Sequence, residues 1–422
     1  MKHWKHFSRP RLSTWSRTFD LSSTTSALAM AVSVLVIFVL MFSTSTFSQY
    51  VPPFTDELCN SNAYPPPSCD KVETFVLNLD LDPEDRWTEL VKPKAREIDT
   101  AIQDIIDILG LVVNVSVASG IIDDVFGLVE HTIKEPYRRE MQGIADATGI
   151  SIGRIVFLNL FYEVESFCTA IVAEDKGGNI YHARNMDPGI LLGWDTKNKT
   201  WSVKEAVMGL IANVEYQRGG VTVARGVHYA GYVGMLTGMK PGVISMNMNA
   251  RHLYGQSGFM NFIRWIFGKR SGHWTGFVLR DAVVMATDFN STVQFLTSVE
   301  LLVSSYIIVG GTRPGEGVII SRAEGKKCDA IEPMELSKDG WFLMKTNYDT
   351  WKAPPFYDNR RIFANKCLRN MTQANVGFAG IYNVMSTKPV LNLATAYTTL
   401  IRAADDKFET YRRYCPQPCF PW

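Results

Sequence analysis

The sequence predicts a layered α+β fold, with helices on both faces of a mostly antiparallel sheet. Three observations carry this. From about residue 93 to 165 apolar residues recur with a helical period. At Phe167-Cys168 the pattern changes to β-branched runs separated by glycine turns. Helical periodicity then returns at 257–267, 275–300 and beyond 358, with strands between and after.

In chain order, the proline-rich stretch 50–70 (Pro52, Pro53, Pro65, Pro66, Pro67) reads as an extended arm held down by a disulfide, since it holds Cys59 and Cys69. Val72, Phe75, Leu77 and Leu79 alternate as a strand over 72–80. Ile98, Ile102, Ile105, Ile106 and Leu109 form one apolar helical stripe. Further helices are expected at 119–133, 135–147 and 151–163, the last opened by Ser151 as an N-cap. Residues 168–250 read as successive strands, turning at Gly177-Gly178, Gly219-Gly220 and Lys240-Pro241-Gly242. Strands are expected again at 305–310, 317–322 and 341–347, helices at 358–369 and 373–385, and last strands at 396–403 and 407–413. The boundary between two structural parts falls at Phe167-Cys168.

Composition narrows the function classes. The 422 residues are 46% hydrophobic and 12% aromatic, which suits a packed globular protein, and the formal net charge is +1. Nothing there makes the basic surface that nucleic acid demands. Residues 1–20 carry Lys2, Lys5, Arg9, Arg11 and Arg17, and Ala27 to Phe42 is uncharged and apolar apart from Ser33. A basic region before an apolar run looks like a secretory signal cut within 43–50. A signal anchor is the alternative, but the run falls short of the ~20 residues that span a bilayer. Sequons at Asn114, Asn198, Asn290 and Asn370 agree with export.

Seven cysteines, Cys59, Cys69, Cys168, Cys328, Cys367, Cys415 and Cys419, leave an odd thiol in an oxidising compartment, and Cys168 is the one left unpaired. Cys415-Pro-Gln-Pro-Cys419 reads as a small disulfide loop; no histidine or second cysteine pair lies near it to complete a metal site.

Cys168 heads a β-branched run. Most such cysteines are small buried hydrophobes. The other reading is a nucleophile that becomes a new N-terminus when the Phe167–Cys168 bond is cut. An N-terminal cysteine brings its own base, because its α-amine titrates near pH ~8. If 168–174 and 180–186 pair as a hairpin, Arg184 and Asp187 return to the cysteine, where a guanidinium favours thiolate and a carboxylate can hold the ammonium. The competitor is a Cys–His dyad with His182, His131, His228, His252 or His273. Papain-type cysteines sit at helix N-termini, whereas 169–174 alternate as a strand.

Other residues read both ways. Asn347, at the end of the 341–347 strand, is a turn residue or an oxyanion donor. Arg360-Arg361 reads as a solvated pair at a helix start, and Asn249 ends a strand with the same ambiguity as Asn347. Spacing alone selects none of the three. The run 258–267 with Lys269 and Arg270 is a core helix or an interfacial one.

Cys168-Thr-Ala-Ile-Val-Ala-Glu-Asp175, Arg184-Asn-Met-Asp187, Ala230-Gly-Tyr-Val-Gly-Met-Leu-Thr-Gly238, Thr346-Asn-Tyr-Asp-Thr-Trp351, Ser386-Thr-Lys-Pro-Val-Leu-Asn392 and Tyr397-Thr-Thr-Leu400 together resemble the acid ceramidase family, from about residue 52 to Trp422. The N-acylethanolamine acid amidases are the nearest related class, and the bile-salt hydrolases and penicillin V acylases are more distant.

The resemblance implies an N-terminal-nucleophile αββα sandwich, cut before Cys168. A leader (1–49) would precede a mostly helical α-subunit (50–167) and a catalytic β-subunit (168–422), both subunits coming from one precursor. Cys168 would be the self-processing residue and nucleophile, with Arg184 and Asp187 beside it, Asn347 in the oxyanion hole and Arg360 as a later site residue. Cys59–Cys367 would join the subunits and Cys415–Cys419 would be local. At Ala250 this sequence departs from the family's Asn-Glu-Arg. Cys69 and Cys328 have no family counterpart, and their pairing with each other stays open.

The implied activity is hydrolysis of ceramide to sphingosine and fatty acid, with no metal or nucleotide cofactor. It implies a lysosomal or secreted enzyme working at an anionic membrane surface, with a saposin-like activator. N-acylethanolamines are the alternative substrate, and a non-catalytic lipid-binding protein is the alternative class.

Overall fold

The computed structural model describes residues 59–421 except 111–118, 121, 128–129, 162–165, 189–192, 252–267, 269–271, 326–327 and 356–357. The leader, the sequon at Asn114 and the run 258–267 lie outside these residues.

Fifteen strands are described. They are β1 (Thr74–Asn78), β2 (Ser166–Glu174), β3 (Ile180–Pro188), β4 (Trp194–Asp195), β5 (Thr200–Trp201), β6 (Ile211–Arg218), β7 (Val221–Tyr229), β8 (Thr237–Lys240), β9 (Ile244–Ala250), β10 (Ser305–Gly310), β11 (Gly317–Arg322), β12 (Cys328–Pro333), β13 (Phe342–Lys345), β14 (Tyr397–Arg402) and β15 (Lys407–Arg412). The first large sheet runs β1-β6-β7-β8-β9-β10-β11-β12, the second β13-β2-β3-β14-β15, and β4 and β5 form a small hairpin. Among the described strands, the β1–β6 pair alone is parallel.

The period of two sets the layers. Ala170 and Val172 of β2 turn inward with Ile180, and meet Tyr306, Ile308 and Ile319 of the larger sheet. Their neighbours Ile171 and Ala173 turn outward with Ala183 and Leu400, onto the helices Arg360–Met371 and Phe378–Met385. On the far side, Met246 and Met248 of β9 join a core with Phe277, Val278 and Leu279 of the helix Thr275–Met285. The result is helix, sheet, sheet, helix.

The segment before Cys168 is built into this sandwich. β1 pairs with β6, and Ile98, Ile102, Tyr137 and Met141 share one core with Val214, Tyr216 and Phe277. Tyr137 stacks on Phe277 with centroids 4.3 Å apart. Glu140, fully buried, takes hydrogen bonds from Arg86, Trp87 and Arg280. Charge is tolerated there because every carboxylate oxygen is matched by a donor.

Several local expectations are corrected. The helix expected at 119–133 is a π-helical turn, Ile122–Phe126, then a short 3-10 turn, Glu130–Thr132. The helix at 275–300 is two, because Asp288 ends one stretch and caps the next, accepting from Ser291 N at 2.9 Å. A helix, Ser202–Met208, interrupts the strand-rich region, and β12 is an additional strand. β2 begins at Ser166, two residues before the expected boundary. Cys59–Cys367 and Cys415–Cys419 are bonded. Cys69 and Cys328 are not paired with each other: Cys69 is exposed and Cys328 half-buried, both outside the disulfides.

Candidate active site

The β2–β3 hairpin turns where Asp175 Oδ1 accepts from Gly177 N and Asn179 N, and Gly178 takes φ +80°, a conformation that favours glycine. Its register sets Cys168 opposite Met186, Ala170 opposite Arg184 and Phe167 opposite Asp187. Opposed residues share a face. Cys168, Arg184 and Met186 therefore face the larger sheet, and Asp187 faces the other way.

Arg184 Nη2 donates to Cys168 Sγ at 2.9 Å, and its Nη1 donates to Leu236 O at 2.9 Å and to Thr237 of β8. The side chain is 1% exposed. Burial works against its charge, but the Cys168 sulfur and Tyr397 outweigh that and hold the guanidinium above its ordinary pKa.

Asn347 follows β13, which pairs with β2 so that Lys345 lies opposite Ala170. Its Oδ1 accepts from Cys168 N at 2.8 Å, and its Nδ2 donates to Ala250 O at 2.9 Å. The residue without a carboxylate, Ala250, thus contributes its backbone oxygen.

Arg360 is 2% exposed rather than solvated, because its helix begins inside the protein. Its Nη1 donates to Cys168 O and Asp187 Oδ2, both at 3.1 Å. Its Nη2 donates to Asn347 Oδ1 at 3.0 Å and Asp358 Oδ2 at 2.7 Å, and its Nε to Asp358 Oδ1 at 2.9 Å. Arg361, by contrast, caps backbone oxygens of Asp349, Thr350 and Lys352. Burial raises the Asp187 pKa; the Arg360 charge opposes this without cancelling it.

The structure therefore brings Cys168, Arg184, Asp187, Asn347 and Arg360 together. It does not assemble the histidine dyad with His182. His182 lies opposite Val172, and its ring nitrogens meet Ser245 and Asn247. Phe167, across the bond expected to be cut, sits with Trp201 and Ala394, 5.3 Å from the Arg360 guanidinium carbon.

Sequence reasoning missed Asp358, Thr237 and the β9 residues Ser245 and Asn247. Asp358 had a signal, a carboxylate just before a helix and just after Pro354-Pro355. The β9 residues had one in the polar alternation of Ser245, Asn247 and Asn249, a pattern that ordinarily marks a solvent face.

Of the sequons, Asn198, Asn290 and Asn370 are exposed. Asn198 lies in the β4–β5 turn, and Asn290 and Asn370 lie on helices.

Comparison with known proteins shows what the chain is similar to. Residues 168–357 match the linear amide C–N hydrolases of the choloylglycine hydrolase family, a match that begins at Cys168. Residues 70–133 match the beta subunit of N-acylethanolamine-hydrolyzing acid amidase. That description gives the letter beta to a segment before Cys168, the N-terminal part of this chain. The solved Caenorhabditis elegans N-acylethanolamine-hydrolyzing acid amidase ortholog is 28% identical with a TM-score of 0.50, over 58% of this chain and 100% of that one. Acid ceramidase of Rattus norvegicus is 40% identical over 378 residues, 89% of this chain and 95% of that protein. Acid ceramidase of Homo sapiens is 40% identical over 382 residues, with the same two coverages. With that identity along nearly all of both proteins, the chain belongs to the acid ceramidase family.

Proposed function

We propose that the chain is an autoprocessed cysteine amidase that hydrolyses the amide bond of ceramide, giving sphingosine and a fatty acid. The observation that carries the reading is the convergence on Cys168: Arg184 at its sulfur, Asn347 at its nitrogen and Arg360 at its carbonyl. A lipid carrier has no use for that set.

In the uncut chain the Cys168 nitrogen is an amide and cannot serve as a base. Sγ attacks the Phe167 carbonyl, the S–C bond forms as the C–N bond breaks, and the nitrogen leaves as an amine. Water then hydrolyses the thioester, leaving a Phe167 carboxylate and a free Cys168 α-amine. In turnover that amine takes the thiol proton, and Sγ attacks the substrate carbonyl. Asn347 Nδ2 is the proposed donor to the oxyanion. The amine product leaves after protonation, and water releases the fatty acid. Arg184 stays cationic throughout and faces the charge that develops at sulfur. Asp187 and Asp358 hold Arg360, which holds Asn347.

The proposed setting is the lysosome, with secretion as a second destination. There the enzyme would meet its lipid at an anionic membrane surface, aided by a saposin-like activator. N-acylethanolamines are the second substrate reading, favoured by the match at residues 70–133 and by the nematode structure.

Turnover of ceramide against palmitoylethanolamide in one competition assay tests the substrate. Preferred cleavage of ceramide supports the first reading, preferred cleavage of the ethanolamide supports the second, and cleavage of neither overturns both.

A further inference from the structure

Ser245, Asn247 and Asn249 occupy alternate positions of β9 and so share one face. Asn247 lies opposite Thr237 of β8, which bonds Arg184, so that face looks toward the five-stranded sheet. Asn247 and Asn249 are fully buried. Buried amides need partners, and the partners here run in one direction.

The far end sets the direction, because backbone carbonyls only accept. Asn249 Nδ2 must face Lys345 O at 3.1 Å and Thr346 O at 3.2 Å. Its Oδ1 is then left to accept from Asn247 Nδ2 at 2.7 Å. That turns Asn247 Oδ1 to His182 Nε2 at 2.6 Å, so Nε2 carries the hydrogen. Burial above all, with the Arg184 charge, lowers the His182 pKa to about 4 and keeps the ring neutral. Nδ1 lies 3.0 Å from Ser245 Oγ, whose hydroxyl also reaches Gly310 O at 3.2 Å. Donors point from His182 through Asn247 and Asn249 to the two carbonyls.

Those carbonyls belong to the two residues before Asn347, and the Asn347 amide bonds Ala250 O, next to Asn249. The β9 end thus grips both the peptide ahead of Asn347 and its side chain.

We propose that Asn249, backed by Asn247 and His182, is a positioning residue that fixes the Lys345–Asn347 segment and so aims the Asn347 amide at Cys168. This rests on the reading of Cys168 as nucleophile and of Asn347 as its partner. Asn249 acts through the carbonyls of residues 345 and 346.

The test uses full-length Asn249→Ala, Asn249→Asp, His182→Leu, His182→Gln and Cys168→Ala. Turnover of a fluorogenic long-chain N-acyl amide is measured per cut chain, with a thermal midpoint for each variant. Asn249→Ala and Asn249→Asp should lose about tenfold or more in kcat with KM within about twofold. His182→Leu should behave likewise. In His182→Gln the amide can donate to Asn247 and accept from Ser245, so kcat should recover to within about threefold of the parent. A space-filling role would leave Leu and Gln alike. Parental kcat in Asn249→Ala, a loss confined to KM, or equal kcat in the two His182 variants overturns the proposal. Should Asn249→Ala not fold, the His182 pair decides. An active Cys168→Ala would sink the amidase reading itself, whereas an inactive one beside an unimpaired Asn249→Ala would sink only this inference.

Discussion

Cys168 and Asp187 lie on opposite faces of one hairpin, and Arg360 bonds to both. Cys168 pairs with Met186, and Asp187 with Phe167 one step along. Arg360 bridges them, with one guanidinium nitrogen 3.1 Å from both Cys168 O and Asp187 Oδ2. Arg360 thus links the Asp187 carboxylate to the Cys168 carbonyl, and Asp358 holds the same arginine from the side.

Removing the bridge should therefore do two things. Arg360→Met leaves Asp187 and Asp358 buried without their cation, which costs about 3–5 kcal/mol of unfolding free energy. It should also leave the chain uncut, since Asn347 loses its hold. Chemical denaturation and a reducing gel measure the two effects; a cut and fully stable variant contradicts the role.

The C-terminal part of the mature protein should begin at Cys168. Cys168→Ala should remain a single inactive chain, and Cys168→Ser should process slowly because an alkoxide forms less readily than a thiolate. N-terminal sequencing decides: a start at any other residue, or a cut and active Cys168→Ala, rules the mechanism out.

The two parts should stay joined after the cut. Cys59 and Cys367 are bonded across 308 residues, and in the uncut chain closing so long a loop is worth ~6 kcal/mol in the chain-entropy model. A denaturing gel should give one band without reductant and two with it. Under native reducing conditions the parts should still elute together, because Tyr137 and Phe277 stack across them and Glu140 meets Arg280. Separation without reductant on the denaturing gel contradicts the pairing.

Stability should fall with acid through His228. Burial first, then the Arg280 charge, lowers its pKa from the ordinary 6.5 to about 3. As pH falls through that window the unfolded chain binds a proton that the folded chain refuses, so stability present above pH 6.5 is lost progressively. His182 adds a loss of the same sign down to about 4. Thermal midpoints at about pH 7 and about pH 4.5 should differ less in His228→Gln than in the parent. Equal differences would clear His228 of the effect.

Asn198, Asn290 and Asn370 should carry glycans at least in part, since all three are exposed. Enzymatic deglycosylation of protein from a secretory host should increase gel mobility, and an unchanged mobility excludes it.

What was legible in the sequence follows from range of interaction. The hairpin that joins Cys168 to Arg184 is local, so alternation and a Gly-Gly turn were enough to read it. Asn347 and Arg360 meet Cys168 across separations of 179 and 192 residues; no periodicity carries that, and only resemblance reached them. Arg360 read as solvated because charge at a helix start normally is, and its burial is set by Asp187 and Asp358, one of them distant. Polar alternation on β9 normally signals water, whereas here it faces a second sheet. β12 escaped notice because Cys328–Pro333 is a half-buried edge without a dominant apolar face, and Ser202–Met208 is too short to stand out among strands.

Two of the residues that bond Cys168 come late in the chain. Asn347 and Arg360 follow Cys168 by more than a third of the protein, and β14, which flanks the hairpin, follows later still. On the proposed self-cleavage, bond scission would start only in a molecule whose distant segments have already docked. The proposed self-cutting would then be an internal check on completion: a truncated or wrongly paired chain would keep its thiol idle and its amine capped, and no partly built copy would become reactive.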